Sequence, residues 1–76
     1  MGFLIRYHRP TQTTQRLIQS EDLELLTKLR FELELVLFST LYYEQTEVIV
    51  LEADSIEIAR RTHSRYFARI NSIIEY

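Results

Sequence analysis

RLIQSEDLELL, residues 16–26, and IVLEADSIEIA, residues 49–59, are two versions of one pattern in this chain of 76 residues. In each stretch a mostly apolar run ends at small and acidic residues, and apolar residues then return at helical spacing. This order is typical of a strand that leads directly into a helix. The two stretches therefore predict an α+β domain with two strand-to-helix junctions.

A hairpin is predicted before the first junction. Residues 3–8 are rich in β-formers, and Pro10 marks a turn because proline has no amide hydrogen to donate to a sheet. Residues 14–19 then form the second strand. Ser20 is the expected N-cap of helix one, because acidic residues follow it at the positive end of the helix dipole.

The end of helix one is ambiguous in the sequence. Val36 and Thr40 continue the helical period, whereas residues 31–35 alternate between apolar and acidic types as a strand does. One interpretation extends the helix to about Tyr43. The other ends it in the low thirties and pairs residues 35–43 with the next strand, and no glycine or proline decides between the two.

The second junction predicts a strand followed by a long helix. Residues 47–52 are apolar and β-branched, which predicts a strand near the centre of its sheet. Asp54, with Glu57 three residues later, fits a capping box, so helix two should begin at about Ser55. Apolar residues then recur at helical spacing as far as Ile73, although the last residues also fit a short edge strand.

Together these elements predict a single domain over residues 1–76. We expect a small antiparallel sheet of three or four strands with two helices on one face, in the order ββαββα or ββαβα. The alternative is a ferredoxin-like βαββαβ order. A chain of this size buries only roughly 60 to 65% of its unfolded surface, so its stability must come from tight packing or from self-association, and we expect a dimer or a bound partner.

Composition excludes several kinds of function. The chain has no cysteine and two histidines, so a disulfide framework is excluded and no metal site is expected. Its single glycine, Gly2, excludes the glycine-rich loops that bind nucleotide phosphates. The longest apolar runs have four residues, so we expect no membrane contact. The prediction is a cytoplasmic protein without cofactors.

An enzymatic function would need reactive side chains that the fold brings together. No local motif places a nucleophile beside a base, and a catalytic site would require His8, His63 and a carboxylate in one cleft. His63 falls in the apolar seam of predicted helix two, where a histidine is more often a hydrogen-bonded core or interface residue. We therefore predict no catalytic residues.

Charge is divided along the chain. Residues 21–57 hold ten acidic residues against two basic ones, whereas both ends are basic. Predicted helix two carries an arginine ridge, which consists of Arg60, Arg61, Arg65 and Arg69. A basic ridge of this kind favours nucleic-acid binding, but the net charge of −2 and the acidic middle segment oppose it.

Protein binding is the function that the sequence favours. Tyrosine and arginine are enriched at interface hot spots, and the chain has five tyrosines and eight arginines. The predicted partner-binding residues are Tyr42, Tyr43, Arg61, Arg65 and Arg69. We expect a noncatalytic adaptor, modulator or inhibitor that forms a homodimer, for example a phage or mobile-element inhibitor of a host enzyme. The alternative is a nucleic-acid-binding regulator that uses the arginine ridge.

Overall fold

The structure is a computed structural model that describes residues 1–38 and 45–75. They form an α+β fold, which confirms the predicted class. The strands are β1 (Gly2–His8), β2 (Thr13–Ser20), β3 (Thr46–Glu52) and β4 (Ile73–Glu75). The helices are α1 (Leu23–Phe38) and α2 (Ile56–Thr62), and a 3-10 turn (Ser64–Tyr66) follows α2.

The four strands form one mixed sheet in the order β3-β1-β2-β4. β1 pairs antiparallel with both β2 and β3, whereas β4 pairs parallel with β2. The order of elements along the chain is ββαβαβ, which is the predicted ββαβα followed by the C-terminal edge strand. Two expectations are wrong, because the sheet is mixed instead of antiparallel and β3 lies at an edge of the described sheet.

The two helices cover opposite faces of the sheet. Because side chains alternate along a strand, Leu4 packs with Leu26 of α1, whereas Phe3 packs in the cluster that contains Ala59 of α2. The expected placement of both helices on one face is therefore wrong. The physical reason lies in β1 and β3, which carry apolar residues at successive positions and so need cover on both faces.

The core consists of two hydrophobic clusters, one on each face of the sheet. The buried residues under α1 are Leu4, Ile18, Leu26, Leu37 and Val48. The buried residues on the α2 side are Phe3, Ile5, Tyr7, Leu17, Ala59 and Tyr66. Each layer is small, so a single large-to-small substitution in either one removes much of its packing.

Both helices begin close to the predicted positions but use different caps. The Asp22 carboxylate accepts a hydrogen bond from a backbone N–H in the first turn of α1, and the Ser20 hydroxyl accepts one from the Asp22 N–H. The Ser55 hydroxyl accepts a hydrogen bond from the first turn of α2. Asp22 and Ser55 are therefore the N-caps, where Ser20 and Asp54 were predicted.

Helix α1 continues through Phe38, so the extended interpretation of helix one is confirmed for residues 35–38 and the strand interpretation of these residues is wrong. The rest of the ambiguous region lies outside the described residues. α1 is the longer helix, with 16 residues. Over residues 1–38 and 45–75, no helix combines the length and the apolar character needed to cross a membrane.

Helix α2 ends at Thr62, well before its predicted end, so the long helix is wrong. The 3-10 turn Ser64–Tyr66 redirects the chain towards the sheet. Backbone hydrogen bonds then tie the next segment to β2, because the Thr14 N–H donates to the Arg69 carbonyl at 2.8 Å and the Asn71 N–H donates to the Thr14 carbonyl at 2.9 Å. Backbone pairing of this segment with β2 therefore outweighs the helical spacing of its apolar residues.

Candidate functional site

Helix α1 has apolar side chains on two opposite sides. Its inner side contributes four leucines to the core, namely Leu26, Leu29, Leu33 and Leu37. Its outer side carries Phe31 and Leu35, which are 62% and 56% exposed. Residues four apart lie next to each other along a helix, so Phe31 and Leu35 form an apolar row that faces solvent.

This row lies in a shallow groove along the outer side of α1. We call this surface the outer face of α1, and its residues are Leu23, Glu24, Thr27, Lys28, Phe31, Glu32 and Leu35. An exposed apolar patch bordered by charged residues is characteristic of a surface that contacts another protein. The outer face of α1 is therefore the candidate functional site.

Three charged residues border the apolar row at intervals of four residues: Glu24, Lys28 and Glu32. Lys28 is the one lysine of the chain. In the part of the chain that the structure describes, the ion pairs within 4.0 Å involve other residues, such as Arg30 with Glu34 on the same helix. The charges of these three side chains are therefore available to a partner.

A polar network surrounds Glu47 on the α2 side of the sheet. The Glu47 side chain is 17% exposed, and Arg9 Nε lies 3.0 Å from its Oε1. A guanidinium nitrogen of Arg65 lies 3.1 Å from Oε2, and the Tyr66 hydroxyl donates a hydrogen bond to Oε2 at 2.9 Å. The network thus ties the β1–β2 turn and the segment after α2 to β3.

Arg65 lies over two tyrosine rings beside this network. Its guanidinium carbon is 4.6 Å from the ring centroid of Tyr66 and 5.5 Å from that of Tyr7. The two rings pack edge to face with their centroids 5.0 Å apart, which is a favourable aromatic geometry. Arg65 is therefore engaged within its own chain by an ion pair and by two rings.

The pKa of Glu47 reflects two opposing influences. Burial alone would raise it, because a low dielectric disfavours the charged carboxylate. Hydrogen bonds from Tyr66 and Arg9, together with the positive charges of Arg65 and Arg9, outweigh burial and hold the pKa below its ordinary value. Glu47 therefore stays ionised in the folded chain to a lower pH than in the unfolded chain.

We expect the Glu47 network to weaken as the pH falls. Because the folded pKa is the lower one, its contribution is complete above the unfolded value of about 4.3 and is lost as the pH falls through the folded value. Glu47→Gln should lower the free energy of unfolding by about 1 kcal/mol at neutral pH. Urea denaturation of both proteins between neutral pH and about pH 2.5 measures the effect, and the difference should shrink towards zero at the acidic end.

The control for this prediction is Glu52→Gln, at the other end of β3. Glu52 is exposed, so its substitution should change the free energy of unfolding by less than about 0.5 kcal/mol at every pH. A difference between wild type and Glu47→Gln that keeps its full size at low pH would contradict the assigned role of the carboxylate.

The predicted arginine ridge is not formed as a helical row. Because α2 ends at Thr62, Arg65 and Arg69 do not continue the row of Arg61 along one helix. Arg60 and Arg61 are exposed on the last turn of α2, and Arg69 is exposed after the 3-10 turn. The four arginines therefore do not lie along one helix.

The two histidines lie over opposite faces of the sheet. His8 Nδ1 is 2.8 Å from Thr11 Oγ1, and His8 lines a cavity on the α1 side, whereas His63 follows α2 on the other side. They do not share the cleft that a catalytic site would require. Over residues 1–38 and 45–75, no group of three or more histidines and acidic residues could hold a metal ion.

Sequence reasoning missed the outer face of α1. Tyr42 and Tyr43, the predicted partner-binding tyrosines, lie outside the described residues, so their role stays a prediction. The missed signal was the alternation of residues 31–35. On a helix a two-residue period places Phe31 and Leu35 on one side and Leu33 on the opposite side, so both sides become apolar.

Comparisons of the chain with protein-family models, with curated proteins and with solved structures give no match. The site combines an apolar centre with a charged flank on one helix, an arrangement that is common at protein–protein interfaces.

Proposed function

We propose that this protein is a noncatalytic binding protein that acts through contacts of the outer face of α1 with another polypeptide. The main support is the exposure of Phe31 and Leu35 on the side of α1 opposite the core. A helix that packs on one side only normally carries polar residues on the other. Among residues 1–38 and 45–75, no segment buries this apolar surface.

Burial of this surface supplies the driving force for binding. Apolar surface removed from water contributes about 25 cal/mol per Å², and large side chains at positions i and i+4 are the usual anchors of a helix in a groove or against a second helix. Leu23, one turn beyond Thr27, extends the apolar row towards the start of α1. An adaptor, modulator or inhibitor needs a surface of this kind.

The alternative function, nucleic-acid binding by the arginine ridge, stays a prediction. Its physical basis was a continuous basic row on one helix. The end of α2 at Thr62 interrupts that row, and the ion pair with Glu47 neutralises Arg65. The geometry therefore favours the protein-binding proposal.

We expect Leu35→Ser to weaken partner binding at least about tenfold, because a central apolar anchor is lost. Ile73→Ser is the matched control, since Ile73 is 50% exposed but lies on β4 at the far edge of the sheet. Affinity capture with mass spectrometry from the native cells identifies candidate partners. Calorimetric titration of the purified partner with wild type and both variants then measures the affinities.

The expected result is a loss for Leu35→Ser and a change of less than about twofold for Ile73→Ser. Far-UV circular dichroism of each variant verifies that the fold is intact. Equal affinities for wild type and Leu35→Ser, or equal losses for the two variants, would contradict a binding role of the outer face of α1.

A further inference from the structure

We infer that the outer face of α1 binds a second copy of this chain, with the two α1 helices packed antiparallel about a twofold axis that passes between them at the height of residue 30. This inference rests on the proposed function, because it names the partner of the same surface. A twofold arrangement requires one surface to be complementary to itself. The charges and the apolar residues of the outer face both meet this requirement.

The charges on the outer face are complementary to themselves. Lys28 and Glu32 lie on the same flank of the row formed by Phe31 and Leu35, by helical geometry. A twofold axis perpendicular to the helices reverses the direction of the second helix but keeps this flank. With the axis at the height of residue 30, midway between residues 28 and 32, Lys28 of each copy faces Glu32 of the other, and two ion pairs form.

Neither member of these pairs has another ion-pair partner in the described residues. The ion pairs within 4.0 Å that join two described residues involve Arg9, Arg30, Arg65 and the N-terminal amine instead. The antiparallel direction also places opposite ends of the two helix dipoles side by side, which is the favourable arrangement. A parallel pair would lose both advantages.

The same axis aligns the apolar residues. Phe31 of one copy lies about 3 Å along the helix axis from Phe31 of the other, so the two rings meet at the centre. Leu35 of each copy comes level with Leu23 of the other to within the same distance. The apolar row of one copy therefore covers that of the other from end to end.

The size of the contact sets the expected affinity. A helix of 16 residues is about 24 Å long, which gives about four turns of contact. A single helix pair lies at the low end of specific interfaces, below about 1,200 Å² in total. We therefore expect a reversible dimer with a Kd of the order of micromolar, which stabilises the small two-layer core by mass action.

Two charge reversals test this arrangement. K28E places a glutamate against Glu32 of the other copy, and E32K places a lysine against Lys28, so each variant alone should dimerise at least about tenfold more weakly. In a mixture of the two variants both contacts again join opposite charges. Sedimentation velocity between about 1 and 500 μM should therefore show a heterodimer in the mixture with nearly the affinity of wild type.

The outcomes separate this inference from the proposed function. Recovery in the mixture, with weak association of each variant alone, would support the antiparallel pair, because a merely structural effect of either charge would persist on mixing. A monomeric wild type at about 500 μM, or a mixture that does not recover, would overturn it. Weaker binding of a different purified protein by Leu35→Ser would still uphold the proposed function.

Discussion

Replacement of Leu26 by alanine is expected to lower the free energy of unfolding by about 3 kcal/mol. Leu26 is 0% exposed and lies between α1 and the sheet, in the cluster with Leu4 and Ile18. The substitution removes apolar surface from the core and leaves a cavity that the surrounding strands cannot fill completely. A domain of this length has a total stability of roughly 4 to 11 kcal/mol, so the loss is a large fraction of it.

The matched control is Leu35→Ala, the same substitution on the opposite side of the same helix. Because Leu35 is 56% exposed, we expect a change of less than about 0.5 kcal/mol in the monomer. Urea denaturation at about 0.05 μM protein, well below the expected Kd of the dimer, measures both variants with little contribution from association. Equal losses would mean that the two sides of α1 do not differ as core and surface.

Much of the sheet could be predicted from the sequence because its determinants act over a few residues. The hairpin of β1 and β2 follows from runs of β-formers on either side of Pro10, and both helix starts follow from polar caps before apolar runs. The caps were displaced by one or two residues, to Asp22 and Ser55, because several neighbouring side chains can accept the same hydrogen bond.

The end of α2 could not be predicted because a distant strand determines it. The apolar period after Ile56 correctly marked Tyr66 and Ile70 as residues that contact the core. It could not show that the amides of Thr14 and Leu17 in β2 donate hydrogen bonds to backbone carbonyls of the segment that follows the 3-10 turn. When the sheet offers backbone partners, a helix of weak propensity ends and the chain pairs as a strand.

The prediction that β3 lies near the centre of the sheet was wrong for a related reason. Apolar residues on both of its faces indicated a central strand, which is the usual cause of such a pattern. In the structure the same pattern arises at an edge, because Val48 packs under α1 and Ile49 packs in the cluster on the α2 side. Burial on both faces of β3 therefore reflects the two layers that cover the sheet, and it does not reveal how many strands lie next to β3.

The contacts of Arg65, a predicted site residue, were less predictable than the fold. The prediction that Arg65 lies on the arginine ridge depended on a continuous helix two. In the structure Arg65 pairs with Glu47, which is 18 residues away in the sequence. Arg9 lies 38 residues from the same carboxylate. Sequence spacing carries no information about such distant ion pairs. The alternation of residues 31–35 is local, by contrast, and could have been interpreted as a helix with two apolar sides, with Phe31 and Leu35 on the outer one.

Tyr66→Ala is expected to have the other large effect, a loss of about 3 to 4 kcal/mol in the free energy of unfolding. The Tyr66 ring is buried against Tyr7 and lies under the guanidinium of Arg65, and its hydroxyl donates to Glu47. Tyr66→Phe separates these contributions. It keeps the ring and removes the hydroxyl, so it should cost only about 1 kcal/mol.

The part of the fold that Tyr66→Phe destabilises tests the role assigned to the hydroxyl. The amides of Thr14 and Leu17 donate to carbonyls of Arg69 and Ser72, so they report whether the segment after the 3-10 turn stays on β2. Because Tyr66 connects this segment to β3, hydrogen exchange of both amides in Tyr66→Phe should accelerate more than exchange of the Ile5 amide in the centre of the sheet. Equal acceleration of exchange at all three amides would contradict the role of the hydroxyl in holding the C-terminal segment on β2. A loss of unfolding free energy from Tyr66→Phe as large as that from Tyr66→Ala would contradict the role of the ring in the core.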